Sequence, residues 1–258
     1  MARLVNIAAC NFAVRPVGSF DEFAAHVREH LDKTAGAELV LFPELFTVEL
    51  FTAFDDWKDT PATELGRVDA FTDDYRGLFA AEAKERGQFI VAGSHLMKVG
   101  DGLLNVGHLF EPDGAMHLHE KTHIFPAEAD WFTGEGDAIE VIELPFAKVA
   151  FNICYEAEIP ECAATATEQG AEIILCPSFT FTEFGFWRVR HCAQARALSS
   201  PIGVGKLKKP WIAPLYLLSV VSTPACLSFS AYNSPCGQSG SCSAVTTSVG
   251  GKPAKLFA

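Results

Sequence analysis

The chain has 258 residues, a formal net charge of −12 and 49 % hydrophobic residues. That length and apolar content can form a sizeable core in one or two domains. The negative charge argues against a general nucleic-acid or anionic-membrane binder, and no apolar run is long enough to predict a membrane-spanning helix.

The eight cysteines form no CxxC pair and no dense framework. In a chain of this length they predict mostly reduced thiols and a cytoplasmic protein. The first residues have one arginine before a short apolar run, so we expect a first strand there and not a signal peptide.

Strand and helix patterns alternate along the first 198 residues. Strands are predicted over 4–12, 38–42, 88–92 and 172–176, and hairpins over 103–121 and 139–153. Helices are predicted over 19–31, 69–86, 160–169 and 184–198. This alternation, with inserted hairpins, predicts an α/β domain with a mixed sheet. Residues 45–68 read as a long Phe- and Trp-rich loop, which we expect to lie against a pocket wall or a partner chain.

The chain changes character at about Ser199. All 32 acidic residues precede it, whereas residues 199–258 contain five lysines and no Asp, Glu, Arg or His. The predicted organisation is therefore a folded domain over 1–198 and an atypical C-terminal segment over 199–258. Our hypothesis is that this segment comes from a shifted reading frame or forms a poorly ordered extension.

Three candidates for chemistry follow apolar strands. They are Glu44, Lys121 and Cys154. Strands packed side by side in one sheet bring such ends together, which is where ligand sites of α/β domains form. Taken singly, each has an ordinary structural interpretation as a solvated carboxylate, an exposed turn lysine or a packed cysteine. Together they predict a base, a cation and a nucleophile in one cleft.

Each member of the trio has an expected electrostatic state. Cys154 lies where a strand turns into a helical segment, and the positive end of that segment is expected to favour the thiolate. A carboxylate such as Glu44 in a dry, Phe-lined pocket is expected to have a raised pKa and to act as general base. The Lys121 ammonium would stabilise the thiolate and a developing oxyanion.

Three segments also match a known family in order and spacing. Phe42-Pro-Glu44, Lys121-Thr-His-Ile-Phe-Pro-Ala-Glu128 and Asn152-Ile-Cys154-Tyr-Glu156 resemble the Glu, Lys and Cys blocks of the nitrilase superfamily of carbon–nitrogen hydrolases. The resemblance covers residues 4 to about 198. It implies an αββα sandwich, a four-layer fold of mixed sheets flanked by helices, which assembles as a homodimer or higher homo-oligomer.

The resemblance also assigns roles. It implies Glu44 as base, Lys121 as oxyanion stabiliser and Cys154 as nucleophile, with Glu128 as a second carboxylate that orients the substrate or Lys121. It places the backbone N–H of Tyr155 beside the oxyanion, and it requires no metal or organic cofactor.

Other residues near these segments have weaker assignments. Phe179, in a Phe-rich stretch, is a candidate substrate contact. Glu156 and Glu161 are interpreted as structural, one of them capping or pairing near the cysteine turn. A metal site built from His117, His119 and His123 is the alternative to hydrogen-bonded histidines, and the latter is favoured because no carboxylate or cysteine at ligand spacing completes the set.

The function hypothesis is hydrolysis of a small carboxamide or N-carbamoyl amide through a cysteine thioester. The alternatives are a nitrilase acting on nitriles, an amide-forming acyltransferase of the same superfamily, and a catalytically impaired scaffold. The expected partner is a small-molecule amide or nitrile, without nucleic acid or membrane. The chain departs from the family pattern at its end, where Ser199-Ser200-Pro201 replaces Glu-Asn and no later stretch restores the strands that would complete one sheet.

Overall fold

A computed structural model of the chain describes residues 3–131, 133–199, 215–222 and 242–249. The strands are β1 (Arg3–Cys10), β2 (Phe12–Ala13), β3 (Leu39–Leu41), β4 (Phe89–Val99), β5 (Gly102–Phe110), β6 (Met116–Glu120), β7 (Thr133–Gly134), β8 (Val141–Glu143), β9 (Lys148–Phe151), β10 (Ile173–Ser178), β11 (Leu215–Ser222) and β12 (Cys242–Val249). The α-helices are α1 (Phe20–Leu31), α2 (Thr72–Arg86), α3 (Pro126–Ala129), α4 (Pro160–Glu168) and α5 (Glu183–Ser199). The strands and helices predicted up to residue 198 are present, with boundaries that differ by up to three residues except at β4, which ends seven residues later than predicted.

Within these described ranges the strands form two mixed sheets. The larger has the order β12-β1-β3-β4-β5-β6, with β7 beside β5, and the smaller has the order β2-β11-β10-β9-β8. Neighbours β1, β3 and β4 are parallel, whereas β4, β5 and β6 follow one another antiparallel. In the smaller sheet β9, β10 and β11 are parallel and β8 pairs antiparallel with β9, as the predicted hairpin requires.

Side-chain alternation along the strands produces the layers. In β3, Leu39 and Leu41 pack in the cluster between the two sheets, while Val40 packs with α1 and α2. In β9, Phe151 enters the cluster between the sheets and Ala150 packs with α4. Successive strand side chains point to opposite faces, so both faces of each sheet are covered. The predicted αββα sandwich is confirmed.

The C-terminal segment contributes to both sheets. Strand β11 lies between β2 and β10, and β12 pairs antiparallel with β1 over its whole length. The predicted boundary at residue 198 therefore does not separate the tail from the sheets. Residues 200–214, 223–241 and 250–258, with Cys226 and Cys236, lie outside the described residues, and the shifted-frame hypothesis stays a prediction.

The segment 45–68 is not the loop that its sequence indicated. Two 3₁₀ helices, Phe46–Ala53 and Ala62–Phe71, occupy most of it. The Phe46 ring is fully buried among residues of α1 and α2, and Trp57 packs against the same cluster. A 3₁₀ helix has three residues per turn, so its apolar spacing matches neither the α-helical nor the strand template.

Gly93 sets how closely the chain before Glu44 approaches β4. It lies where the pairing of β4 with β5 shifts register, between Val91 and Ser94, and its φ is +61°. A Cβ at this position would lie 1.9 Å from the carbonyl oxygen of Pro43. Only glycine tolerates both this left-handed conformation and the close approach of a backbone oxygen.

We expect Gly93→Ala to lower the free energy of unfolding by about 3 kcal/mol or more, because left-handed strain adds to a backbone overlap. Gly87→Ala is the matched control, since Gly87 has φ +63° with nothing within 4 Å of a Cβ, and it should cost only about 1–2 kcal/mol. Urea unfolding measures both variants. Equal losses would contradict the importance of the approach to Pro43.

Candidate active site

The structure brings Glu44, Lys121 and Glu128 into one buried cluster. The Lys121 Nζ donates to Glu44 Oε1 at 2.7 Å and also to Glu128 Oε2. The exposed fractions are 2 % for Glu44, 1 % for Lys121 and 3 % for Glu128. Glu44 follows β3, Lys121 follows β6 and Glu128 lies in α3, so the predicted meeting of strand ends is observed.

Phe179 links Cys154 to this cluster. Its backbone N–H donates to Glu44 Oε2 at 2.8 Å, and its carbonyl oxygen accepts from the Cys154 thiol at 3.6 Å. The charges of Glu44 and Lys121 both act on the thiol. The three residues predicted as nucleophile, base and cation therefore share one site, but Cys154 follows β9 of the smaller sheet, so the expectation that all three follow strands of one sheet is wrong.

Two residues at the site that are not glycine have a left-handed backbone conformation. Leu45, directly after Glu44, has φ +49°, and Cys154 has φ +46°. Each such conformation costs about 1–3 kcal/mol and persists only where the surroundings hold it. The Leu45 N–H donates to Ser94 Oγ at 3.1 Å, and Cys154 begins a buried 3₁₀ helix, Cys154–Glu158. The strain thus lies at one candidate catalytic residue, Cys154, and directly after another, Glu44.

Glu156 ties the Cys154 turn to the segment that carries Lys121. Its carboxylate accepts from the N–H of Ile153 at 2.6 Å and from the N–H and Oγ1 of Thr122 at 2.8 and 2.6 Å. The His119 Nε2 lies 3.0 Å from the same carboxylate. Burial raises the pKa of Glu156, but His119 and these hydrogen bonds outweigh it, so the pKa lies below its ordinary value. This geometry agrees with the structural interpretation of Glu156.

Asn105, in β5, was missed by the sequence analysis. Its Nδ2 donates to Glu44 Oε1 at 3.1 Å and to Glu128 Oε1 at 2.8 Å, and the residue is fully buried. The available signal was an amide within a predicted buried strand, because buried polar groups are almost always hydrogen-bonded.

Burial and charge together set the resting protonation of the site. Burial raises the pKa of Glu44 despite the opposing Lys121 charge. Burial lowers the pKa of Lys121, but Glu44 and Glu128 outweigh it, so the pKa lies above its ordinary value and the amine stays an ammonium. Burial, and then the Glu44 charge, raise the pKa of the Cys154 thiol well above its ordinary value. The net direction is thus towards the protonated thiol rather than the thiolate that the turn was expected to favour, and the raised pKa of Glu44 agrees with the expectation from burial.

The predicted substrate contacts lie in an aromatic neighbourhood. Tyr155 is half-buried, and its ring meets the Phe125 ring edge-on at 5.6 Å. Phe179 is also half-buried, its ring lies 5.1 Å from that of Phe181, and Phe181 in turn lies 6.2 Å from Trp131. Contact of Tyr155 and Phe179 with a substrate stays a prediction.

The three histidines of the alternative metal site have separate partners. His117 pairs with Glu111 at 2.7 Å, and His119 with Glu156. His123 lies 3.0 Å from the Thr122 hydroxyl. In the part of the chain that the structure describes, no group of three or more His, Cys, Asp or Glu side chains could hold a metal ion.

Two further predictions concern thiols and membranes. Cys154, Cys162, Cys176 and Cys192 are free thiols. Among the described residues, every helix is too short or too polar to cross a bilayer.

Comparison with known proteins agrees with this geometry. The family model for carbon–nitrogen hydrolases matches residues 6–201. The chain belongs to the carbon–nitrogen hydrolase family. It is 34 % identical over 201 residues to the "Probable hydrolase YhcX" of Bacillus subtilis (strain 168), covering 77 % of this chain and 39 % of that protein. It is 27 % identical over 213 residues to the "Omega-amidase NIT2" of Xenopus tropicalis, covering 77 % and 72 %. The chain thus spans well under half of the length of the first of these two carbon–nitrogen hydrolase relatives.

Solved structures show the same fold. Saccharomyces cerevisiae Nit3, a member of the nitrilase superfamily, superposes with a TM-score of 0.68 at 18 % identity, covering 95 % of this chain and 82 % of Nit3. An amidase from Nesterenkonia sp. superposes with a TM-score of 0.62 at 20 % identity, covering 85 % and 77 %. The predicted family and fold of this carbon–nitrogen hydrolase chain are confirmed.

Glu156→Gln should lower the free energy of unfolding by about 3 kcal/mol at neutral pH, because a buried amide cannot accept every bond that the carboxylate accepts. A carboxyl whose folded pKa is lowered stabilises above its unfolded pKa, about 4.3, and this stabilisation is lost as pH falls through the folded pKa. The gap between wild type and Glu156→Gln should therefore shrink on acidification.

Urea unfolding at several pH values checks this expectation. Glu161→Gln is the control, because Glu161 is exposed in the first turn of α4 and its loss should leave the midpoint unchanged. A gap of constant size at all pH values would show that Glu156 does not act through its charge.

Proposed function

We propose that this chain hydrolyses the C–N bond of a small carboxamide or N-carbamoyl amide through a thioester on Cys154. The observation that carries the proposal is the buried Glu44–Lys121–Glu128 cluster joined to the Cys154 thiol through Phe179. A protonated thiol, a carboxylate base and a fixed ammonium are the groups that acyl transfer to cysteine needs. Similarity to an omega-amidase and to a solved amidase supports this reaction class.

Glu44 serves as the base in the first step. Because the Cys154 thiol is protonated at rest, its proton moves to Glu44 as sulfur attacks the carbonyl carbon. The carbonyl oxygen becomes an oxyanion, which the Lys121 ammonium and the N–H of Tyr155 stabilise. Tyr155 is in the first turn of the 3₁₀ helix Cys154–Glu158, where backbone N–H groups have no intrahelical acceptor.

Release of the amine and hydrolysis of the thioester then restore the enzyme. The C–N bond breaks, Glu44 returns the proton to the leaving nitrogen, and ammonia or an amine departs. Water then gives one proton to Glu44 and its hydroxyl to the thioester carbon, which forms a second tetrahedral intermediate. Collapse of that intermediate breaks the C–S bond, releases the carboxylic acid and returns the proton to sulfur.

Glu128 has a positioning role in this scheme. It accepts from Lys121 Nζ and from the N–H of Phe125, so it holds the ammonium together with Glu44. A lysine held by two carboxylates keeps one position and one charge state through both steps. We extend the proposal to assembly as a homodimer or higher homo-oligomer and to a cytoplasmic location, both predicted from the sequence.

The wild-type chain should release ammonia from a panel of small amides, and Cys154→Ala should lower kcat/KM by about a thousandfold or more, because the nucleophile is lost. Cys192→Ala is the control, since Cys192 is a half-exposed thiol outside the cluster, and it should keep wild-type turnover. The thiol is protonated at rest, but Glu44 can take its proton as sulfur attacks, so iodoacetamide should label Cys154 ahead of the other described thiols. Ammonia release that survives in Cys154→Ala would refute the mechanism.

The same assay separates the alternatives. Turnover of nitriles without turnover of amides would identify a nitrilase. Product formed only when an amine acceptor is added would identify an acyltransferase, and absence of all turnover with slow, uniform thiol labelling would identify a scaffold.

The raised pKa of Glu44 predicts an acid limb in the pH profile. The base must be ionised, so activity present at neutral pH is lost as pH falls through the raised pKa of Glu44. In kcat/KM measured from about pH 4 to about pH 9, we expect the midpoint of the acid limb to lie above the ordinary glutamate pKa of about 4.3. Glu44→Gln should be inactive throughout. An acid limb at or below about 4.3 would contradict the raised pKa of Glu44, and turnover that survives in Glu44→Gln would contradict its assignment as base.

A further inference from the structure

We propose that Asn105 is a positioning residue that makes the two oxygens of Glu44 unequal, so that Oε2 alone exchanges the proton with Cys154. This inference rests on the proposed function, because it concerns the base of that reaction.

One oxygen of Glu44 is already fully engaged. Oε1 accepts from Lys121 Nζ at 2.7 Å and from Asn105 Nδ2 at 3.1 Å. A carboxylate oxygen has two lone-pair directions, so two donors leave Oε1 without room for a further proton. Oε2 accepts from the N–H of Phe179 at 2.8 Å, which is its one hydrogen bond in the described part of the chain.

The oxygen that keeps a lone pair, Oε2, is also the one linked to the thiol through Phe179. The residue whose N–H binds Oε2 is Phe179, and the carbonyl oxygen of that same residue accepts from the Cys154 thiol at 3.6 Å. Both contacts involve one short stretch of backbone. Oε2, which keeps a lone pair, is therefore the Glu44 oxygen that the Phe179 backbone connects to the reacting sulfur.

The orientation of the Asn105 amide is determined by its neighbours. Its two amide hydrogens go to Glu44 and Glu128, at 3.1 and 2.8 Å. A flipped amide would place a carbonyl oxygen against two carboxyl groups, which is repulsive. In the described part of the chain, the Oδ1 of Asn105 is buried without a hydrogen-bond partner. A residue present only for packing would have no reason to retain such an acceptor.

Asn105 adds donors to the site without adding charge. The titratable groups that act on Glu44 or are acted on by it in the described residues are Lys121, Glu128, Cys154 and Cys176. Hydrogen bonds to a carboxylate favour its ionised form. Removing the Asn105 donors should therefore raise the pKa of Glu44 further, and an added carboxyl group should raise it most.

The test compares Asn105→Leu and Asn105→Asp with matched changes at Gln88. Gln88 is also a buried amide whose NH₂ group bridges two acceptors, the carbonyls of Thr34 and Ala37 at 2.9 and 2.8 Å, but it lies outside the cluster. We expect the acid limb of kcat/KM to move to higher pH in Asn105→Leu and by roughly one unit or more in Asn105→Asp. Gln88→Leu and Gln88→Glu should keep the wild-type limb even where their melting temperature falls.

A second readout does not require turnover. The pH dependence of iodoacetamide labelling at Cys154 should shift in the same direction in both Asn105 variants, with Cys154→Ala as the blank. If both the acid limb and the labelling curve stay at wild-type positions while kcat and melting temperature fall as in the Gln88 variants, Asn105 is structural only. If the wild type turns over no amide, the proposed function fails, and the labelling curve alone then decides the role of Asn105.

Discussion

The structure of the site depends on one ammonium group held between two carboxyl groups away from water. Lys121 is 1 % exposed, and Glu44 and Glu128 are its partners. An unpaired charge at such a depth would cost several kcal/mol, so removing any one member leaves the others uncompensated. Glu44 follows β3, Lys121 follows β6 and Glu128 lies in α3. This electrostatic requirement therefore fixes the ends of β3 and β6 and the helix α3 relative to one another.

The backbone next to the buried Glu44–Lys121–Glu128 cluster and at Cys154 adopts strained conformations. Leu45 and Cys154 are left-handed, and Gly93 has no Cβ where Pro43 approaches β4. The hydrogen bonds of Glu156 hold the Cys154 turn against the segment after Lys121. Strain of this kind persists where neighbouring contacts over-determine the conformation. The rigid sandwich therefore supports a precise and locally unfavourable geometry at the site.

Much of this could be predicted because apolar alternation and strand ends are local properties of sequence. Glu44 and Lys121 follow strands of the larger sheet, so their meeting followed from sheet geometry. Cys154 follows β9 of the smaller sheet, so its arrival depends on how the two sheets pack. The 3₁₀ helices after Leu45 were missed because their period matches no standard template. Asn105 was missed because its partners are 61 and 23 residues away in sequence. The pairing of β11 and β12 was missed because the composition of residues 199–258 does not indicate which strands these segments pair with.

The protonation of Cys154 could not be predicted from the turn alone, and it has a chemical consequence. Burial and every nearby charge also act on a thiol at such a turn, and here burial and the Glu44 carboxyl group raise the pKa of Cys154 although the Lys121 charge lowers it. A resting thiolate beside two carboxyl groups would add negative charge to a buried site that contains one ammonium. In the proposed reaction the proton instead leaves sulfur only as the carbonyl oxygen becomes negative, so the site's total charge stays constant and the Lys121 ammonium stabilises the new charge on the substrate.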